Sequence, residues 1–186
     1  MVTDNLVSID AFLEFWKQKP NSPEGKIAEA YNRSLLDFDN KQTGLLRCLR
    51  PQKANGKLIP VFVEGSEQLI AGFEEAEKHL KEVRADIETY LKLTEGQPSM
   101  NLLLDKLIRA KRAISETSFD ARRALERALR DTKSSSMEEI EDLPIVQAAM
   151  DKKDQAQRQF GPVVEDLQDR ISRAKAILEK YNKMEL

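Results

Sequence analysis

The placement of backbone-breaking residues is what most constrains this chain. Only 7 glycines and 7 prolines occur in 186 residues, and most of them are grouped. Pro20, Pro23 and Gly25 form one group, and Pro51, Gly56 and Pro60 a second. Gly96 with Pro98 and Gly161 with Pro162 form two more, and Pro144 follows a serine run at 134–136. Gly44, Gly65 and Gly72 stand alone. Between the groups, apolar residues recur every three or four positions, so the groups read as joints between helices. A charged fraction of 33% and an aromatic content of 6% favour long helices over sheets, and 40% hydrophobic residues are enough for a core.

Five helical segments follow. Ser8 can cap a short helix from Ile9 that Pro20 ends; Leu6, Ile9, Phe12, Leu13 and Trp16 fall within about 120° of its circumference. Ser22 caps the second, with Pro23 in its first turn and an inward face of Ile27 or Ala28, Tyr31, Leu35, Phe38, Leu45 and Leu49. It has a weak stretch near 39–44 and ends by Pro51.

The third runs from about Pro60 to Thr94. Phe62, Leu69, Phe73, Ala76, Leu80, Val83, Ile87 and Tyr90 lie on a seven-residue repeat, with Ser66 filling one gap and Gly96 marking the stop. The segment KLIPVFV at 57–63 holds strand-forming residues. Its central proline and the helical spacing after it argue instead for a helix start, so no strand is expected.

Ser99 caps the fourth helix, whose face reads Met100, Leu103, Leu104, Leu107, Ala110, Ile114, Ala121, Leu125 and Ala128. The short turn before it makes the third and fourth helices antiparallel neighbours. Ser136-Met137-Glu138-Glu139 is a capping box, and Pro144 restarts or bends the chain. The last helix carries Ile145, Ala149, Ala156, Phe160, Val163, Leu167, Ile171, Ala174, Leu178 and Tyr181. Pro162 lies inside it and predicts a kink rather than a stop.

The expected fold is therefore all-α. Residues 1–20 form a short amphipathic helix, and 22–186 form one domain, an elongated antiparallel bundle of four long helices with coiled-coil-like packing and crossings of about 20°.

The net charge of −2 conceals an alternation: 1–59 carry +2, 60–95 carry −5, 96–133 carry +4 and 134–186 carry −3. Within the basic segment, Arg109, Arg112, Arg123, Arg127 and Arg130 fall roughly opposite the apolar face of the fourth helix. This stripe is a candidate site for anions or an acidic partner. Asp105, Glu116 and Asp120 interrupt it, and Asp105–Arg109 and Glu126–Arg130 have the i,i+4 spacing of favourable pairs. With no interleaved aromatic residues and no basic pI, the stripe does not point to nucleic acid.

Catalytic chemistry finds little support. One Cys and one His exclude an internal disulfide framework and a His/Cys zinc site. A di-iron bundle needs Glu three residues before its His, and Ala76 stands there relative to His79. Cys48 reads as a small buried hydrophobe. Asp37–Asn40 begins like a calcium loop, but Lys41 and Gln42 break it. There is no phosphate loop, dinucleotide fingerprint or nucleophile elbow. No enzyme activity, cofactor or metal is expected.

No apolar run approaches membrane-spanning length, and the N-terminus does not resemble a signal peptide, so a soluble cytoplasmic protein is expected. The leading expectation is a non-enzymatic interaction module: a scaffold, adaptor or assembly subunit with a protein partner. Its candidate contacts are the Arg stripe and the N-terminal face of Leu6, Ile9, Phe12, Leu13 and Trp16. That face can also pack across the bundle as a lid or insert into a membrane interface. A membrane-surface module, monomeric or dimeric, is the first alternative and a small-molecule-binding bundle the second. Off-stripe Val63, Ile70, Leu102, Ile108 and Val164 leave homo-oligomerisation open.

Overall fold

In the computed structural model, which describes residues 8–131 and 136–183, six helices and one small sheet form among the described residues. In chain order these are α1 (Ile9–Trp16), α2 (Pro23–Leu46), β1 (Leu49–Ala54), β2 (Lys57–Phe62), α3 (Glu67–Leu93), α4 (Asn101–Asp131), α5 (Met137–Glu141) and α6 (Pro144–Asn182). The fold is largely all-α with long helices packed together. No helix among the described residues is long and apolar enough to cross a membrane.

Local chemistry sets the helix boundaries. The Ser8 hydroxyl accepts from Ala11 N–H at 3.2 Å, Ser22 from Gly25 at 3.0 Å, Ser99 from Asn101 at 3.2 Å and Ser136 from Glu139 at 3.3 Å. Each serine takes up a backbone donor that the first helical turn leaves unpaired. At the end of α3, Gly96 N–H reaches back to Leu91 O at 2.7 Å and Glu95 N–H to Lys92 O at 3.4 Å. This is the paired Schellman closure, and both residues have positive φ. The restart at Pro144 is as the sequence predicts. The last helix also continues through Pro162, which removes one N–H from the ladder. Pro162 and Arg158 are both exposed, so water can serve the carbonyl freed one turn earlier.

The second group of breakers corrects the sequence reading. Residues 49–62 form an antiparallel hairpin, so the third helix starts at Glu67 and not near Pro60. Asn55 (φ 49°) and Gly56 (φ 75°) occupy the two-residue turn. Both left-handed conformations match a type I′ turn, for which Asn-Gly is a favoured sequence. Pro60 is compatible with this pairing because of register. Ala54 faces Lys57 across the turn, and Val63 N–H donates to Cys48 O at 3.0 Å, which sets the alternation of hydrogen-bonded pairs. Pro51 and Pro60 face each other in a non-hydrogen-bonded pair, where neither nitrogen owes the partner strand a proton. The N-terminal end of the seven-residue repeat is lost in consequence. Phe62 lies on a strand, Leu69 is exposed, and the inward face of α3 begins at half-buried Ile70 and continues through Phe73 and Ala76.

The chain groups into two compact units. In the first, residues 8–98 and 174–183, α2 and α3 run antiparallel. Tyr90 OH donates to Glu24 Oε1 at 3.0 Å near one end, and the Phe38 and Phe73 rings lie 5.1 Å apart toward the other. Phe12 meets Tyr90 edge-on at 5.8 Å. Asp86 on α3 accepts from Tyr181 OH at 2.6 Å and from Lys180 Nζ at 2.7 Å. Burial, the hydrogen bond to Asp86 and its negative charge all favour the neutral phenol, so Tyr181 titrates well above the usual tyrosine range.

In the second unit, residues 99–131 and 136–173, α4 and α6 run antiparallel. Leu103, near the start of α4, packs with Leu167 and Ile171; Ala128, near its end, packs with Ile140 and Val146. The predicted face of α4 is inward throughout. That of α6 begins one residue later than predicted: Val146 is 0% exposed and Ile145 is 67% exposed. The true register runs Val146, Ala149, Lys153, Ala156, Phe160. Polar Lys153 obscures it in the sequence, yet Lys153 is half-buried, as a long aliphatic stem allows.

Candidate partner-binding groove

The second unit contains an open groove of about 590 Å³ between the C-terminal half of α4 and the first turns of α6. Its length along α4, from Thr117 to Asp131, corresponds to roughly 21 Å, about four helical turns. Small and apolar residues line it: Ala124 and Ala128 from α4, Leu143 before α6, and Ala148 and Ala149 from α6. Ile145 also lines it, its exposure following from the one-residue shift of the α6 face. Arg123, Arg127 and Lys152 supply positive charge, and Asp120 and Asp131 negative charge.

The arginines are placed by the stripe-opposite-core spacing of α4. Their surroundings separate the five predicted members. Arg112 Nε is 2.7 Å from Glu116 Oε1, a hydrogen bond and charge contact that raise its already high pKa. Arg130 is turned to its own helix, Nε donating to Glu126 O at 3.3 Å. Arg109 is exposed and lies outside the groove lining. Arg123 and Arg127 both line the groove and make no ion pair among the described residues. The two i,i+4 pairs expected from the sequence do not form. Glu126 instead pairs with Arg122 at 2.9 Å, and among the described residues Asp105 holds no arginine. Glu126 has one carboxylate and three arginine neighbours at helical spacing, Arg122, Arg123 and Arg130, and Arg122 takes it.

Phe119 escaped the sequence reading. The Arg123 guanidinium sits over its ring, 4.5 Å from the centroid, and the ring itself is exposed. Stacking holds the planar cation while leaving its edge N–H donors available for a carboxylate. The i,i+4 spacing of Phe119 and Arg123 carried that signal. Lys152 and Leu143 were also missed, because they come from beyond the loop and only the antiparallel return brings them to α4.

The N-terminal candidate face has a different fate. Phe12 and Trp16 are buried in the first unit, Ile9 and Leu13 are half-buried, and Leu6 lies outside the described residues. Trp16 Nε1–H donates to Pro98 O at 2.7 Å. The described residues of this face pack within their own unit. Its exposed aromatic is Phe15, edge-on to Trp16 at 5.0 Å.

Among the described residues no three His, Cys, Asp or Glu side chains gather as a metal site. His79 is exposed on α3. Cys48 is half-buried at the end of α2 rather than inside it, its thiol directed to Gly44 O at 3.5 Å. No protein-family model matches this chain, and comparison with curated proteins and with solved structures finds no match.

Proposed function

We propose that this chain is a non-enzymatic helical interaction module that receives an acidic amphipathic helix of a protein partner in the α4–α6 groove. The observation that carries the reading is the pairing of an apolar, alanine-rich floor with two arginines, Arg123 and Arg127, free of ion pairs among the described residues. Alanines let a third helix approach closely, and a four-turn groove suits the anchor spacing of helix-in-groove recognition. Guanidinium edges favour carboxylates on the incoming helix, through bonds stronger than neutral ones.

The test compares affinity capture from native extract by wild type, by Arg123→Glu/Arg127→Glu and by the control Arg109→Glu/Arg112→Glu. The groove variant loses a partner that the control retains. If every partner stays bound to the groove variant, the reading fails. Light scattering of the purified chain identifies a second copy as the occupant if the mass doubles and the groove variant restores a monomer. Trp16→Ala is unsuited to this purpose, since Trp16 is a buried side chain whose loss disturbs the first unit.

A further inference from the structure

The β1–β2 hairpin is a separate surface from the groove and carries its own chemistry. Of its residues only Leu49, Ala54 and Val61 are even half-buried, so it is open on both faces. Leu58 is 72% exposed, and Leu46, Ile59, Phe62 and Val63 are exposed around it. Every charged residue from Leu46 to Val63 is basic: Arg47, Arg50, Lys53 and Lys57, with no Asp or Glu. This occurs in a chain whose acids outnumber its bases, 32 to 30.

The edges of the hairpin are closed to strand addition. Backbone groups of the non-hydrogen-bonded pairs point outward, and the central outward position of each strand is a proline, Pro51 on one edge and Pro60 on the other. Recognition must therefore use side chains. The same alternation places Leu58 and Phe62, with both prolines, on one face and Ile59 on the other. A folded partner presenting one surface covers one of these faces. A fluid interface surrounds both, and its negative headgroups match the four cations.

We infer that the β1–β2 hairpin docks turn-first on an anionic lipid surface, with Leu58 and Ile59, one on each face beside the turn, below the headgroups and Lys53 and Lys57 extended to the phosphates. Apolar side chains are favoured at that depth, and the long lysine stems let the ammonium groups reach back to the polar level.

The test is co-sedimentation of the full chain at low salt with vesicles of phosphatidylcholine alone or mixed with phosphatidylserine. Sedimentation with the mixed vesicles and none with the neutral ones is expected. Lys53→Gln/Lys57→Gln lowers partitioning by about 30-fold, roughly fivefold for each basic residue near an anionic leaflet. Leu58→Ser/Ile59→Ser lowers it by roughly tenfold or more, since the apolar contact is removed. Arg123→Glu/Arg127→Glu leaves it unchanged, which keeps this result separate from that of the groove. A thermal melt verifies each fold, and the lysine pair tests the inference alone should the apolar pair disturb folding. No sedimentation at low salt, equal sedimentation with neutral vesicles, or sedimentation that survives both hairpin variants overturns it. Capture of polyglutamate that depends on the hairpin, without vesicle binding, assigns the surface to an acidic protein and overturns it as well.

Discussion

Val146→Ala and Ile145→Ala differ by one position at the start of α6, and the structure predicts opposite consequences. Val146 is 0% exposed and packs against Ala128 and Ile140. Truncation removes two methyl groups, worth about 0.8 kcal/mol each in transfer free energy. The closed surroundings add a cavity cost of about 1 kcal/mol, and the better helix propensity of alanine returns roughly 0.5 kcal/mol. The net loss is about 2 kcal/mol. Ile145 is mostly solvent-exposed on the groove, so its truncation changes stability by no more than about 0.5 kcal/mol. Urea unfolding followed by far-UV circular dichroism gives both values on the same protein background. Binding of a groove partner reads the reverse order: Ile145→Ala weakens it, and Val146→Ala, once folded, does not. Equal destabilisation by the two variants would refute the α6 register, and with it the account of how the groove obtains an exposed isoleucine.

Three further predictions follow from individual contacts. Gly56→Ala places a Cβ at φ 75° in the turn and costs about 1 kcal/mol, seen as faster amide exchange confined to the hairpin. Tyr90→Phe leaves the buried Glu24 carboxylate without that hydroxyl and costs roughly 1–3 kcal/mol in denaturant unfolding, whereas Glu24→Gln, which still accepts the bond, costs less. Because folding raises the Tyr181 pKa, its stabilisation is fully present below the unfolded value of about 10 and is lost as pH rises above it. The unfolding midpoint should therefore drop progressively as pH rises above about 10, and drop less in Tyr181→Phe.

Helix content, caps and joints were legible because they depend on neighbours in the chain. Ser8, Ser22, Ser99 and Ser136 cap helices within a few residues of themselves, and the inward face of α4 repeats without interruption. The hairpin was misread for an equally local reason. The Asn55-Gly56 turn signal was present, but Pro60 weighed against a strand until pairing placed it opposite Pro51 in a position that needs no donor. The start of the α6 face was misread because Lys153 occupies an inward position with a polar residue.

The Arg stripe shows the same division. Five arginines opposite an apolar face follow from helical periodicity alone, since side chains at that spacing share a direction. Which of them remains unpaired depends on rivals for each carboxylate, as at Glu126, and on what the returning α6 brings alongside. Periodicity therefore determined the helices and their inward faces. Tertiary structure decided strand pairing, ion-pair partners and the groove, because each arises between residues whose separation in sequence carries no information about their distance in space.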